Sequence, residues 1–349
     1  MSRQRVVVVF GGRSGEHEVS VVSARSVMLA LNRERWDVVP LGIAKDGGWL
    51  SSVETSTALD MDARAFETGT PLLSATEALG TLASADVVFP LVHGTFGEDG
   101  TLQGFLEMAD LPYAGAGVAA SAIGMDKALM KALFRDAGIP VPNYAVVRSW
   151  EAKADGQQVH AFVESTVGYP CFVKPANGGS SVGVSRARSG EDLADAFAAA
   201  FAYDDKAVVE EAIEGREVEV SVLGNETPEA SVPGEIVPDR EFYDYESKYA
   251  TDSTTELHIP ARLSEETAER VRELAVRMYQ AMACEGYARV DFFVRGGREV
   301  IANEVNTIPG FTNISMFPKL WSASGLEYAD LLDRIIELAL SRHARRRRR

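Results

Sequence analysis

Cysteine is nearly absent from this chain. Cys171 and Cys284 are the only two in 349 residues, far apart and in apolar or helical surroundings. They provide neither a disulfide framework nor a thiolate metal site, and their use suits a reducing cytosol. Histidine is also scarce, and its five copies are scattered, so no zinc cluster is offered. No apolar run approaches the roughly 18 to 20 residues that span a bilayer, and no membrane partner is expected. At the start, MSRQRVVVVFGG, the apolar segment is Val6 to Phe10 alone. It is shorter than the roughly 7-residue minimum of a secretory h-region and reads as a buried first strand. Positive charge is in deficit: 35 Lys and Arg stand against 51 Asp and Glu, a formal net charge of −16. Nucleic acid is therefore not expected as a partner. The tail Ala344 to Arg349, ARRRRR, is the exception, and the expectation for it is a disordered, solvated end.

What is present is an ordinary globular composition, 46% hydrophobic and 25% charged, long enough for two or three domains. There are no repeats and no low-complexity linker. Val6 to Val9, Trp36 to Ile43 and Asp86 to Val92 read as strands, with a helix running to Leu31 after the first. That alternation indicates an α/β region with a doubly wound parallel sheet. The pattern is weak between Lys45 and Ala85. The helix KALMKALFRDAG, from Lys127, ends at Gly138 before the break IPVPN. Beyond it come strands at Pro170 to Val173 and Val182 to Ser185, a helix from Gly190 to Ala202 and a strand ending in VVEE. The last third has long strands, a polar stretch at Arg240 to Thr255, a helix from Ser264 to Ala283, a hairpin and a closing helix from Leu326 to Leu340.

Lys174 to Val184 reads KPANGGSSVGV. It fits neither the Walker loop nor the dinucleotide loop, both of which run into a helix. The residues that follow alternate like a strand. This loop would therefore hold an anion by its backbone N–H groups, the Ser180 and Ser181 hydroxyls and the Lys174 charge, with no helix terminus behind it. Taken alone, the loop reads rather as a plain flexible hairpin tip.

The hairpin Glu285 to Asn306 carries more. With Gly296-Gly297 as a two-residue turn, Arg295 faces Arg298, Asp291 faces Ala302 and Arg289 faces Glu304. Alternation then sends Arg289, Asp291, Glu304 and Asn306 to one side, and Val290, Phe292, Val294, Ile301 and Val305 to a core. Two carboxylates and an amide clustered away from the turn are hard oxygen donors suited to magnesium. A solvated polar face accounts for the carboxylates but not for that clustering. Two further stretches are polar: GRSGEHEVS, Gly12 to Ser20, and HGTFGEDGTLQG, His93 to Gly104. Both follow strands where a doubly wound sheet binds ligands. Glu16 can hold an ammonium there or serve as a helix N-terminal charge. His93 can reach the same crevice, or its segment can simply cap and turn.

These motifs, with FYDYESKYATDST and RVDFFV…NEVNTIPGFTNISM, occur in an order and spacing that closely resemble the D-alanine–D-alanine ligases of the ATP-grasp superfamily. The resemblance covers nearly the whole chain and is weakest at about 46–82 and in the Arg tail. It implies a three-domain ATP-grasp fold, α+β in its later parts, divided at 1–123, 124–216 and 217–349. It implies ATP-dependent joining of two D-alanines through an acyl phosphate and a tetrahedral intermediate, for peptidoglycan synthesis in the cytoplasm. A homodimer is implied as well. The resemblance assigns Lys127, Lys174 and Lys248 to phosphates, with Ser180 and Ser181 in the loop. Glu210, Glu211, Ala212 and Ile213 would line the adenine pocket, Glu217 would hold the ribose, and Phe293 and Asn303 would complete the nucleotide site. Asp291, Glu304 and Asn306 would hold two Mg²⁺ (or Mn²⁺) ions, with K⁺ as an activator. Arg289 and the Gly310 N–H would form an oxyanion hole. Glu16 would bind the first substrate's ammonium and form a triad with Ser180 and Tyr249. His93, Ser315 and Met316 would face substrate, with Ser315 on the second carboxylate. Tyr249 implies an amine acceptor; a relative using D-lactate or D-serine is the alternative. Arg240 to Thr255 is expected to be a lid.

Overall fold

A computed structural model of the chain describes residues 3–237, 255–312 and 314–348. The first sheet has the order β2-β1-β3 and is parallel throughout, built from β1 (Gln4–Gly11), β2 (Trp36–Ile43) and β3 (Val87–Pro90). Val6 to Phe10 are without exposed surface, as expected for a continuous apolar run in a strand covered on both faces. The turn into α1 (His17–Ala30) requires glycine at position 11, whose φ is +91°. A Cβ there would lie 2.1 Å from the Ile43 carbonyl oxygen. The segment with weak sequence pattern contains α2 (Ser52–Asp60), started by a reciprocal Ser51–Glu54 cap, and α3 (Thr76–Ala83). Next come α4 (Thr101–Met108), α5 (Val118–Met125) and α6 (Lys127–Asp136). Asp126 fixes the start of α6 by accepting from the Ala128 and Leu129 N–H groups.

The second sheet, β4-β7-β5-β6, is antiparallel. It comprises β4 (Tyr144–Arg148), β5 (Cys171–Pro175), β6 (Ser185–Ala187) and β7 (Lys206–Glu211), with α7 (Ser149–Ala154), α8 (Gly156–Thr166) and α9 (Leu193–Phe201). β6 begins at Ser185, not at Val182 as the sequence pattern suggests. Ser180, Ser181 and Gly183 have positive φ values of 53°, 59° and 72°, which a paired strand does not allow.

The third sheet runs β11-β10-β8-β12-β13, with β9 against β8. Its strands are β8 (Arg216–Leu223), β9 (Glu229–Ala230), β10 (Gly234–Val237), β11 (Glu256–His258), β12 (Tyr287–Arg295) and β13 (Glu299–Asn306). Helix Glu265–Ala281 covers one face, packing Val271, Leu274 and Met278 with Val218, Val290 and Phe292. The α/β expectation with a parallel N-terminal sheet and α+β later parts is borne out.

The last helix, Tyr328–Arg346, returns to the first sheet and buries Leu331, Leu332, Ile335 and Ile336 with Val6, Val8 and Phe89. Its end corrects the expectation of a disordered tail, since the helix continues through Arg346 and its arginines have partners. Arg342 is buried and donates to the Tyr113 carbonyl at 2.6 Å and to that of Gly115. Arg345 pairs with Glu285, Arg346 with Glu107 and Glu285, and Arg347 with Asp110. The acidic surface supplies the partners, and cations suit the negative end of a helix. Among the described residues, no helix is long and apolar enough to cross a membrane.

Candidate active site

The site is built on the β12–β13 hairpin. Its loop takes three residues rather than two, so Arg295 faces Glu299 and not Arg298. A bulge then places Asn303 between Ala302 and Glu304, so that Asp291 faces Glu304 and Arg289 faces Asn306. The two irregularities together shift the register by two and restore the side-chain parity. Arg289, Asp291, Glu304 and Asn306 therefore do share one face. Ile301, expected in the core behind them, instead pairs with Phe293 on the site face, and Val300 and Ala302 take its place in the core.

Arg289 makes a bidentate pair with Asp291, at 2.8 and 2.7 Å, and lies 3.1 Å from Glu219 on neighbouring β8. Burial opposes its charge, but these two carboxylates outweigh burial and hold the guanidinium pKa well above its usual value. After β13 the chain turns over an aromatic cluster in which Phe311 lies 5.2 Å from both Tyr287 and Phe317. This fixes the loop carrying Gly310 and Ser315. A Cβ at Gly310 would lie 2.8 Å from the Ser315 Oγ, which is itself held by the Thr312 hydroxyl at 2.7 Å.

The glycine loop folds over this face and is held on two sides. Lys127 Nζ donates to the Gly178 carbonyl at 2.6 Å, and Ser180 Oγ donates to Glu16. The left-handed conformations at Ser180 and Ser181 are uncommon outside glycine and turn the loop sharply.

Two cavities meet beneath the loop. One is lined by Lys127, Lys174, Ser180, Ser181, Glu210 and Glu211. Ile213, Glu217, Phe293, Asn303, Asp291 and Glu304 line it as well. The other is lined by Glu16, His93, Asn306, Gly310, Ser315 and Met316. Arg289, Glu304, Ser180 and Lys127 line both. Ala212 is not a lining residue of either cavity; its N–H donates to the Pro170 carbonyl at 3.1 Å. Lys248, Tyr249 and residues 240–254 of the lid expected at Arg240 to Thr255 lie outside the described residues. Apart from Ala212 and these, the cavities bring together every site residue expected from sequence.

Sequence reading missed three groups, Lys131, Glu98 and Glu219. In the first cavity, Glu210 bridges Lys174, at 2.9 Å, and Lys131, at 3.2 Å. Burial pushes the Glu210 carboxyl up, but the two ammoniums outweigh it and hold the pKa down to about 2. Lys131 was not anticipated, although it lies beside Met130 and Phe134 on the buried side of α6, where a lysine is conspicuous. In the second cavity, Glu98 accepts from the Gly94 N–H at 2.6 Å and the Ile308 N–H at 3.1 Å. Burial, and then the neighbouring Glu16 charge, push its pKa up to about 8. His93 lines the same cavity, 3.2 Å from Ser23, with its pKa lowered by burial. The third group is Glu219, which alternation along β8 could have placed opposite Asp291.

Among the described residues no three His, Cys, Asp or Glu side chains are grouped to hold a metal. Two carboxylates and an amide are too few for a cation held by protein alone. They suit Mg²⁺, which keeps waters and takes substrate phosphate oxygens.

A loop-covered, cation-lined cavity joined through a shared carboxylate to a second polar cavity defines a ligase of the ATP-grasp type, and comparison with known proteins agrees. Family models described as the N-terminus and C-terminus of D-ala D-ala ligase match residues 5–116 and 133–337, and the chain belongs to the D-alanine–D-alanine ligase family. It is 48% identical to the D-alanine–D-alanine ligase of Geobacillus thermodenitrificans, over 98% of this chain and 96% of that protein. With D-alanine–D-alanine ligase A of Escherichia coli K12 the identity is 46%, over 99% and 98%. The structure of the Coxiella burnetii D-alanine–D-alanine ligase matches with a TM-score of 0.84 at 36% identity, covering 100% of this chain and 97% of that one. A D-Ala:D-Ser ligase from Enterococcus faecalis matches at 0.81 and 33%, over 97% and 100%.

Proposed function

We propose that the protein joins two D-alanines in an ATP-dependent, ADP-forming reaction that supplies D-alanyl-D-alanine for peptidoglycan. The observation that carries this is the pair of cavities sharing Arg289, Glu304 and Ser180. A nucleotide's terminal phosphate in one cavity then lies beside a carboxylate in the other. The first D-alanine's carboxylate oxygen attacks the γ-phosphorus and ADP leaves, giving an acyl phosphate. The second D-alanine's amine, having lost a proton, attacks the acyl carbon, and inorganic phosphate leaves the tetrahedral intermediate.

The residues serve mainly to position and to stabilise charge. Lys127 and Lys174 neutralise phosphates, joined in this reading by Lys248. Glu210, Glu211 and Ile213 flank the base, Glu217 the ribose. Glu16, held by Ser180, takes the first ammonium, with Tyr249 as the third member of the triad. Arg289 and the Gly310 N–H face the developing oxyanion, and Ser315 takes the second carboxylate. Asp291, Glu304 and Asn306 would hold two Mg²⁺ ions, whose charge draws the phosphate and carboxylate oxygens together. K⁺ activation, a homodimer, a cytoplasmic location, domains at 1–123, 124–216 and 217–349 and a lid at 240–255 complete the reading.

Phosphate release from ATP, Mg²⁺ and D-alanine tests it. Turnover with D-alanine is expected to exceed that with D-lactate or D-serine as acceptor. Folded, ATP-binding protein that releases no phosphate would overturn the reading, and preference for another acceptor would favour the alternative.

A further inference from the structure

We propose that Lys131 is a positioning residue that neutralises Glu210 and so leaves the Lys174 charge available to nucleotide phosphates. This deepens the proposed function and rests on its assignment of Lys174. The argument starts from position. Lys127 and Lys131 are one turn apart on α6, so both project toward the second and third sheets. Lys127 reaches the glycine loop at the Gly178 carbonyl. Lys131 is 1% exposed and has two contacts, Glu210 at 3.2 Å and the Asn303 carbonyl at 3.2 Å. That carbonyl belongs to the bulge residue of β13, so the lysine links α6 and β7 to the strand that carries Glu304 and Asn306.

Charge balance gives the link a function. Glu210 divides its two oxygens between Lys131 and Lys174. Two ammoniums against one carboxylate leave one net positive charge, and Lys174 lines the cavity. Without Lys131, Glu210 would cancel the Lys174 charge, and the pair would present no net attraction to phosphate. Burial lowers the Lys131 pKa, whereas Glu210, together with Glu304 and Glu217, outweighs burial to raise that of Lys174. The more available lysine is thus the more firmly charged.

The test is a double-mutant cycle read by direct ATP binding to full-length folded protein, with KM for ATP and for D-alanine measured alongside. Lys131→Met is expected to weaken ATP binding at least tenfold while changing the D-alanine KM less than twofold. Lys131→Met with Glu210→Gln restores one net positive charge, so it is expected to bind ATP more tightly than Lys131→Met alone. ATP binding by Lys131→Met within twofold of the unaltered protein would overturn the inference. So would a double variant no better than the single one, the outcome of a purely structural lysine. If Lys131→Met does not fold, the cycle is run with Lys131→Gln, and its double variant decides by the same criterion. Unaltered protein that binds no ATP would instead refute the nucleotide assignment itself.

Discussion

The two joined cavities each enclose a glutamate, and the two are held in opposite ways. Glu210 lies between two ammoniums, which outweigh burial and hold its pKa down to about 2. Glu98 lies between two backbone N–H groups, with the Glu16 charge nearby, and is pushed up to about 8. Two peptide dipoles do not replace the solvation that a buried carboxylate loses, whereas two full charges do. The cavity assigned to nucleotide is thus organised by ion pairs around a fixed negative charge. The cavity assigned to substrate is organised by a carboxyl whose charge depends on conditions.

The strongest way to break this division is at Glu304, where the cavities meet. Glu304→Gln is expected to lower phosphate release by at least about 1,000-fold, as loss of a group acting on both substrates should, with circular dichroism unchanged. Full activity in that variant would sink the metal assignment. A selective break comes next. Glu98→Gln leaves only one acceptor for the Gly94 and Ile308 N–H groups, so it should raise the D-alanine KM about tenfold, roughly one hydrogen bond's worth, and change the ATP KM little. Equal rises in both constants would show that the cavities are not separable.

Stability against pH sharpens the contrast through its sign. Glu210 has a folded pKa of about 2, below the usual value of about 4.3. Its contribution is present above pH about 4.3 and is lost as pH falls toward 2, a change of roughly 3 kcal/mol. Glu98, at about 8, has the opposite sign: its contribution is present below pH about 4.3 and is lost as pH rises toward 8. Thermal melts of Glu98→Gln relative to unaltered protein should therefore improve from pH 5 to pH 8. Those of Glu210→Gln should improve from pH 4 to pH 2.5. Profiles of the same sign would contradict the comparison. The smallest effect is expected far from both cavities. Arg345→Ala with Arg346→Ala removes the pairs with Glu285 and Glu107. The melting temperature should fall by roughly 2 °C at low salt and less in 1 M salt, where exposed pairs are screened.

Much of the site was legible in the sequence because alternation along a strand is a strong signal. Arg289, Asp291, Glu304 and Asn306 could be placed on one face despite a wrong register, since a shift of two preserves parity. Ile301, placed from the same register, went to the wrong side because it lies between the turn and the bulge, where the shift is only one. The start of β6 was misplaced because nothing in the local pattern marks Ser180 and Ser181 as left-handed. Glu98 and Lys131 were missed because their importance comes from burial beside groups distant in sequence.

By itself the sequence determined the parallel first sheet, the later antiparallel strands, the family and the donors on the hairpin face. Those follow from local periodicity and from motifs of fixed spacing. Only the tertiary structure decided that Lys131 reaches the Asn303 carbonyl, 172 residues away, and that the arginine-rich end folds onto the first sheet's surroundings. It also decided that one glutamate is charged while the other, its pKa pushed up to about 8, is held largely neutral at neutral pH. A carboxyl's state depends on the solvent removed and the charges brought near, and both are products of packing.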